Sequence, residues 1–409
     1  MTLPDYTGLT LKEKEELRQR SVLRPPLRFP EFTLPWRTAR VEDVFDKVTA
    51  GKHILIAQTK SKQDGEYCYP VYSSQTKNYG IVGYYNQHLF EKAVVWTNTG
   101  YAGVTKFIHG KFFALGTCGV LLSEKGYCNN CIAEAINKMT HLYVTVGVQP
   151  KLMAHRMAKV MFSFPEEFEE QNKISKLMQD IDDIIFQADQ YLQNSKLRKE
   201  AILEKVFPTN LDNPQPEKRF EGFTEKWLVA PLSELATINP KSEVPEEFIY
   251  VDLGSVKSAM LLEANFETKE SAPAAARRKA EANDIFFQKV RPNQKNNYFF
   301  KEEKSIPHVF AQGYAQIRAS EKLDPYFLFA NLHSEAFVKK AVLHAYGTAY
   351  PIINDANLGK QKIAYPASLE EQKKIATLIR TIDTQIETAY NRLQNFRKLK
   401  KALIQQMFV

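Results

Sequence analysis

Three polar, turn-rich stretches between residues 52 and 103 carry side chains suited to gripping a polyanion: KHILIAQTKSKQDG, YSSQTKNYGIVGYY and VWTNTGYAG. Lys52, Lys60, Lys62 and Lys77 offer ammonium groups to phosphates. Ser74, Gln75, Asn78 and Asn98 offer hydrogen bonds to phosphates or base edges. Tyr72, Tyr79, Tyr84 and Tyr85 are interleaved with them. A second set lies in APAAARRKAEAND and KVRPNQKNN, namely Arg277, Arg278, Lys279, Lys289, Arg291, Asn293, Gln294 and Lys295. Arginine's planar fork is the side chain best shaped to hold guanine through O6 and N7. The plain alternative is that these loops are polar because loops are solvated, and that the tyrosines cover a core edge.

Covalent chemistry has no comparable signature. The chain lacks the phosphate loops G-x-x-x-x-G-K-[ST] and G-x-G-x-x-G, the G-x-S-x-G elbow and H-E-x-x-H. TINPKS around Asn239 lacks the aromatic residue of a base-methylating Asn-Pro-Pro-aromatic loop. The eight histidines are scattered, and His53, His109 and His141 read as structural or surface residues. The acidic-and-lysine stretch EEK at 302–304 is too loose to support a nuclease. Cys128 and Cys131 form one C-x-x-C pair, but zinc-finger spacing needs a second, while Cys68 and Cys118 stand alone. No metal site is expected, and four cysteines in 409 residues fit a reducing compartment.

The elements that must position these loops are announced by repetition. RFPEFTLPWR at 28–37 returns as RFEGFTEKWL at 219–228: Arg28, Phe29, Phe32, Thr33 and Trp36 recur 191 residues later. A second pair of matches lies at a shift of 201, where Pro165, Glu169, Glu170 and Gln171 return as Pro366, Glu370, Glu371 and Gln372. Ile174, Leu177, Ile181, Asp182, Ile185, Lys199 and Phe207 also have identical partners in this ungapped repeat.

Each of these later segments reads as one long helix. Pro165 and Pro366 suit a first turn, whereas Ser368 and Glu371 have capping-box spacing that would start the second helix there. Ile375, Leu378, Ile382, Ile386, Ala389, Leu393, Phe396, Leu399 and Leu403 follow at spacings of three and four, a coiled-coil seam. The first helix carries a net charge of −4 and the second +4, which suits each to the other. Each would be roughly 60 Å long, and the PTNLDNPQPEK linker at 208–218 reaches at most about 36 Å. Antiparallel packing therefore fits the connectivity, and predicts two heads separated by the helix pair with pseudo-twofold symmetry.

The expected division is an arm at 1–27, a head at 28–165, a helix at 166–207, the linker, a head at 219–365 and a helix at 366–409. Residues 28–165 carry a net charge of +7 and residues 208–366 none, so a positive surface on the second head would have to be local. The interiors of the heads, about 38–164 and 229–365, share little sequence. Both mix β-rich runs with one or two helices, an α/β or α+β pattern. The first residues lack a signal-peptide core and no apolar run reaches about 18 residues, so a cytoplasmic protein is expected.

Marker, variable region, long helix, then the same again resembles the specificity subunit of type I restriction-modification enzymes. The marker phrases, the P…EEQ…I helix starts and YGTAYPIINDANLGKQKIAYP at 346–366 carry the resemblance, and VGVQPKLMAHRMAKVMFSFP at 146–165 is a looser match. It extends from about Arg28 to Val409. It implies two target recognition domains, each reading one half of a bipartite, asymmetric site in double-stranded DNA, with the helix pair fixing the gap. It also implies docking of two methyltransferase subunits and of restriction-translocase subunits. S-adenosylmethionine, ATP and Mg would belong to those partners, leaving this chain without catalysis. Lys151, Tyr350 and Asn354 join the candidate DNA contacts on the same ground. Two other readings stay open: a coiled-coil adaptor whose heads bind proteins, and a free-standing enzyme with an unrecognised site.

Overall fold

The computed structural model describes residues 24–75, 77–301, 305–347 and 349–409. The EEK stretch and most of the 1–27 arm lie outside the described residues, as does the side chain of Lys77. The chain divides into two compact units, Met1–Gln187 with Leu393–Val409, and Ala188–Arg392. The division passes through both long helices.

In the first unit the strands are β1 (Arg37–Arg40), β2 (Lys47–Ala50), β3 (Tyr69–Tyr72), β4 (Ile81–Tyr85), β5 (Phe90–Thr97), β6 (Thr105–Ala114), β7 (Cys118–Leu122) and β8 (Met161–Phe164). Helices α1 (Val41–Val44), α2 (Asn130–Thr140) and α3 (Ala154–Ala158) precede the long helix α4 (Phe168–Val206). The main sheet runs β2-β7-β5-β6-β3-β4, and β1 pairs with β8 beside it. Alternating apolar residues of β5 and β7 place Val94, Trp96 and Leu121 in one core with α2, and Val95 and Val120 in another on the opposite face.

The second unit continues with β9 (Leu228–Pro231), α5 (Leu232–Leu235), β10 (Ala236–Ile238), β11 (Glu247–Val251), β12 (Val256–Lys257), β13 (Met260–Leu261), β14 (Asn265–Thr268) and β15 (Ala276–Lys279). Then come β16 (Ile285–Gln288), β17 (Tyr298–Phe299), β18 (His308–Ala311) and β19 (Tyr314–Ala319). Helices α6 (Pro325–His333), α7 (Glu335–Leu343) and α8 (Asp355–Gly359), strand β20 (Lys362–Tyr365) and the long helix α9 (Leu369–Met407) follow. One sheet is β10-β19-β16-β17 and another β14-β11-β18-β15. Phe286 of the first stacks on Phe310 of the second, with ring centroids 3.5 Å apart.

Head interiors that share little sequence thus share a frame. β2-β7-β5 in one head matches β10-β19-β16 in the other, both antiparallel. At equivalent register, Trp96 faces Gly119 and Phe287 faces Ala315. A Cβ on Gly119 would lie 2.0 Å from the Trp96 indole, so the larger ring requires the smaller partner.

The repeated phrases form a latch. Arg28 donates two hydrogen bonds of 2.7 Å to Glu170, and the Trp36 indole donates a third to the same carboxylate. Arg219 and Trp227 hold Glu371 in the same way. Both glutamates are almost wholly buried. The hydrogen bond to Glu371 raises the Arg219 pKa further, keeping its charge fixed. Gln171 and Gln372 each donate to the carbonyl of the preceding repeat proline, Pro165 and Pro366. The prolines therefore lie before the helices, which begin at Phe168 and Leu369. Ser368 accepts from the Glu371 amide, while the Glu371 side chain turns away to Arg219.

Within each unit, the end of one long helix lies beside the start of the other. Met407 and Phe408 share a core with Trp36, Ile174 and Met178. Leu203, Val206 and Phe207 share the matching core with Trp227, Ile375 and Ile379. Lys400 pairs with Asp182 at 2.7 Å in the first unit, and Lys199 with Asp383 at 2.6 Å in the second. These four residues are related by the 201-residue shift, so the ion pairs are reciprocal copies. Ile375, Ile382, Ile386, Ala389 and Leu393 are buried as the seam requires, whereas Leu399 is exposed.

Candidate nucleic-acid interface

Each head joins three segments where its central strand ends. In the first, the Asn98 amide donates to the Thr117 carbonyl (2.9 Å), and the Asn98 carbonyl accepts from the Leu152 amide (2.8 Å). Bridges of Thr99 and Thr145 to Lys151 complete the clasp. In the second, the Lys289 amide donates to Gly313 (3.0 Å), its carbonyl accepts from Ile353 (3.1 Å), and Val290 and Tyr346 bridge to Ile352. Asn98 and Thr99 differ from Lys289 and Val290 by 191, Thr117 from Gly313 by 196, and Thr145, Lys151 and Leu152 from Tyr346, Ile352 and Ile353 by 201. The repeat signalled by the markers thus reaches the loop clusters, by main-chain bonds that do not depend on side-chain identity.

The first head places the candidates unequally. Lys151 is exposed beside Thr99, and Lys52 is exposed where its backbone bridges to Leu115. Lys60 bonds Asp64 at 2.7 Å and lies over the Tyr67 ring, and the bond to Asp64 raises its pKa. Lys62 is exposed with no partner among the described residues. The Ser74 amide bonds the Thr117 hydroxyl, bringing that loop to the clasp. Gln75 and Asn78 both donate to the Ile81 carbonyl, a brace for a loop in which Asn78 and Tyr79 have φ of 47° and 54°. Asn98 is a correction: its side chain is 4% exposed and donates to the Gly116 carbonyl, so it builds the clasp rather than reaching outward. Tyr72 also turns inward against Phe112, and burial pushes its pKa up to about 12.

Sequence reasoning missed Lys106, near the start of β6. Its ammonium lies 4.1 Å over the Tyr72 ring and donates to the Tyr79 carbonyl. With Trp96, Tyr79, Tyr101 and Cys118 it lines a cavity of about 260 Å³ between the two loops. Burial lowers the Lys106 pKa to about 8 and raises that of Cys118 to about 11. Nothing in the strand TKFIHGKFFA sets this lysine apart from Lys111, so the sequence carried no clear signal. Cys131 is fully buried on α2 and burial pushes its thiol well above the usual range.

In the second head, carboxylates pair with two of the six predicted cations. Lys289 bonds Asp355 at 2.8 Å, and Lys295 bonds both Glu200 and Glu335 at 2.8 Å. Lys295 is therefore structural, tying the loop to α4 and α7. Arg278 is half-buried, its Nε lacks a partner, and burial lowers its pKa. Arg277 and Asn293 are exposed, and Lys279 is half-buried on β15. Gln294 accepts from Gln288. Asn354 caps α8 by accepting from the Asn357 amide. Arg291 lies 4.0 Å over the ring of Tyr350, itself 62% exposed.

A family model for the type I restriction modification DNA specificity domain matches residues 34–194 and 281–395. The chain belongs to this family. The matched stretches include both latches' helix starts, both clasps and most of each long helix. The unmatched interval between them holds β9–β15, which includes three of the four strands of the second head's additional sheet.

Among relatives, a putative type I specificity subunit of Mycoplasma pneumoniae is 33% identical over 217 residues, 52% of this chain and 55% of the relative. The MjaVIII type I restriction enzyme specificity subunit of Methanocaldococcus jannaschii is 27% identical over 253 residues, 58% of each chain. The chain thus spans a little over half the length of these relatives. The crystal structure of a type I restriction-modification S subunit from M. genitalium has the same fold. The match has a TM-score of 0.64 at 12% identity, and covers 95% of this chain and 99% of that one.

Proposed function

We propose that this chain is the non-catalytic, sequence-reading subunit of a type I restriction-modification assembly. Each head reads one half of a bipartite, asymmetric site in double-stranded DNA, and the helix pair sets the unread gap and docks two methyltransferase subunits. Restriction-translocase subunits add to this core. S-adenosylmethionine, ATP and Mg belong to the partners, and the assembly works in the cytoplasm. The observation that carries the reading is the repeated clasp: one main-chain frame presents different side chains in each head. A two-fold frame with unlike contents suits an asymmetric site, as identical heads suit a palindrome. The contacts proposed in the first head are Lys52, Lys60, Lys62, Ser74, Gln75, Lys77, Asn78 and Lys151. Those in the second are Arg277, Arg278, Lys279, Arg291, Asn293 and Tyr350.

The test is to purify the tagged chain gently from its host, identify what accompanies it, and select bound sequences from random duplexes. A bipartite consensus with salt-dependent affinity is expected, together with two copies of a methyltransferase chain. Exchanging residues 28–165 for another family member's head should change one half-site alone. A chain emerging alone or with unrelated partners, and without salt-dependent DNA affinity, would replace this reading with the adaptor role.

A further inference from the structure

Arg291 differs from its neighbours in the second head. Lys289 and Lys295 are bonded to carboxylates, whereas Arg291, half-buried like Arg278, is paired with none among the described residues. Its guanidinium instead rests 4.0 Å over the exposed Tyr350 ring. The backbone beneath is fixed at both ends: the Arg291 amide donates to Pro351 (2.7 Å), its carbonyl accepts from Gln294 (2.9 Å), and Val290 bridges to Ile352. Arg291 also has φ 53° and ψ 61°, a left-handed conformation that is strained for an L residue with a Cβ. Such strain persists only where surrounding structure imposes it, and it clusters at ligand-contacting sites.

The Tyr350 ring, 4.0 Å from the guanidinium carbon, restrains the fork, and a restrained fork suits an in-plane acceptor pair. A lone phosphate contact needs charge but not this orientation, which a flexible lysine meets as well. Guanine's O6 and N7 form the in-plane acceptor pair that a fixed fork matches.

From this geometry we propose that Arg291, oriented by Tyr350, reads a guanine in the half-site of the second head. The inference rests on the DNA-reading role proposed above and assigns one letter of the site to one side chain.

The experiment uses the chain with its co-purifying subunits and duplexes derived from the selected consensus. Discrimination is read by competition binding at several salt concentrations. With the unaltered chain, replacing one guanine in the second half-site should weaken binding by about 5- to 150-fold. Both R291A and R291K should abolish that discrimination and leave the other letters intact. Y350A should reduce it and Y350F should retain it. A uniform loss of affinity in R291A across all sequences, with the salt slope shallower by about one, would identify a phosphate contact and overturn the proposal. So would full discrimination in R291K. If the unaltered assembly showed no salt-dependent DNA affinity, the DNA-reading role itself would fall, and this assignment with it.

Discussion

At matched positions the two heads use the same backbone and different chemistry. Where the first has Trp96 against Gly119, the second has Phe287 against Ala315. The Trp96 indole also donates to the Leu152 carbonyl at 2.9 Å, a clasp bond that phenylalanine cannot make. Where the first has Asn98 buried in the clasp, the second has Lys289 bonded to Asp355. The residue of the first head that matches Asp355 by the 201-residue shift is Ala154, which cannot pair a charge. The first head offers exposed Lys52, Lys62 and Lys151, whereas the second holds Lys289 and Lys295 in ion pairs and leaves Arg291 on an aromatic ring. A frame closed by main-chain bonds and a latch tolerates replacement of almost everything attached to it.

The strongest challenge to that equivalence is to break the latches. Glu170→Ala strands the Arg28 charge and the Trp36 indole, and Glu371→Ala does the same to Arg219 and Trp227. Each should cost about 3–5 kcal/mol, because the remaining charge is largely buried. Hydrogen exchange should show the first variant opening one unit and the second the other. A neutral result in either would make that latch an incidental likeness.

The reciprocal ion pairs should respond unequally. Asp383→Asn leaves the buried Lys199 ammonium without its carboxylate and weakens the hydrogen bond from Tyr326, so a loss of about 2–3 kcal/mol is expected. Asp182→Asn leaves Lys400 with Glu134 at 2.9 Å, and should cost under about 1 kcal/mol. Urea denaturation of both variants decides it, and equal losses would contradict this account of the charges.

Packing at the strand pair gives a finer comparison. Gly119→Ala should cost about 1–3 kcal/mol through overpacking against Trp96. Adding Trp96→Phe imports the second head's solution and should recover most of that loss, less the indole's bond to Leu152. Failure of the double variant to recover would mean that the frames differ more than their registers suggest.

The smallest effect concerns Lys106. Its folded pKa of about 8 lies below the ordinary value of 10.5, so the unfolded chain binds more protons between those limits. Stability should therefore rise with pH across that window, by on the order of 1–2 kcal/mol after allowing for partial exposure. Lys106→Met should remove the rise and stabilise the protein at pH 7. Destabilisation at pH 7, or an unchanged pH profile, would show that the ammonium's contacts with Tyr72 and Tyr79 outweigh its desolvation.

Some of this was legible in the chain. Identical residues at a fixed shift reveal a repeat without any structure, and the three-and-four spacing of Ile375, Ile382, Ile386, Ala389 and Leu393 reveals a helical seam, because periodicity is local. Charge and linker length were enough to favour antiparallel helices. Individual contacts were not legible. Asn98, Lys289 and Lys295 are as polar in sequence as Lys62 or Arg291, and only their neighbours in space show that they bond within the protein. Lys106 looks no different in sequence from Lys111 on the same strand, and what sets it apart is a cavity between two loops.

The sequence by itself determined that there are two copies of a marker and a helix, which residues line the helical seam, and which loops are rich in basic and amide groups. These are properties of spacing and composition, fixed along the chain. Tertiary packing settled that the markers grip the helix starts, that unlike head interiors share a sheet frame and a clasp, and which cations are held in ion pairs. Those outcomes depend on partners well separated in the chain, 142 positions for Arg28 and Glu170 and 66 for Lys289 and Asp355, which no local pattern encodes.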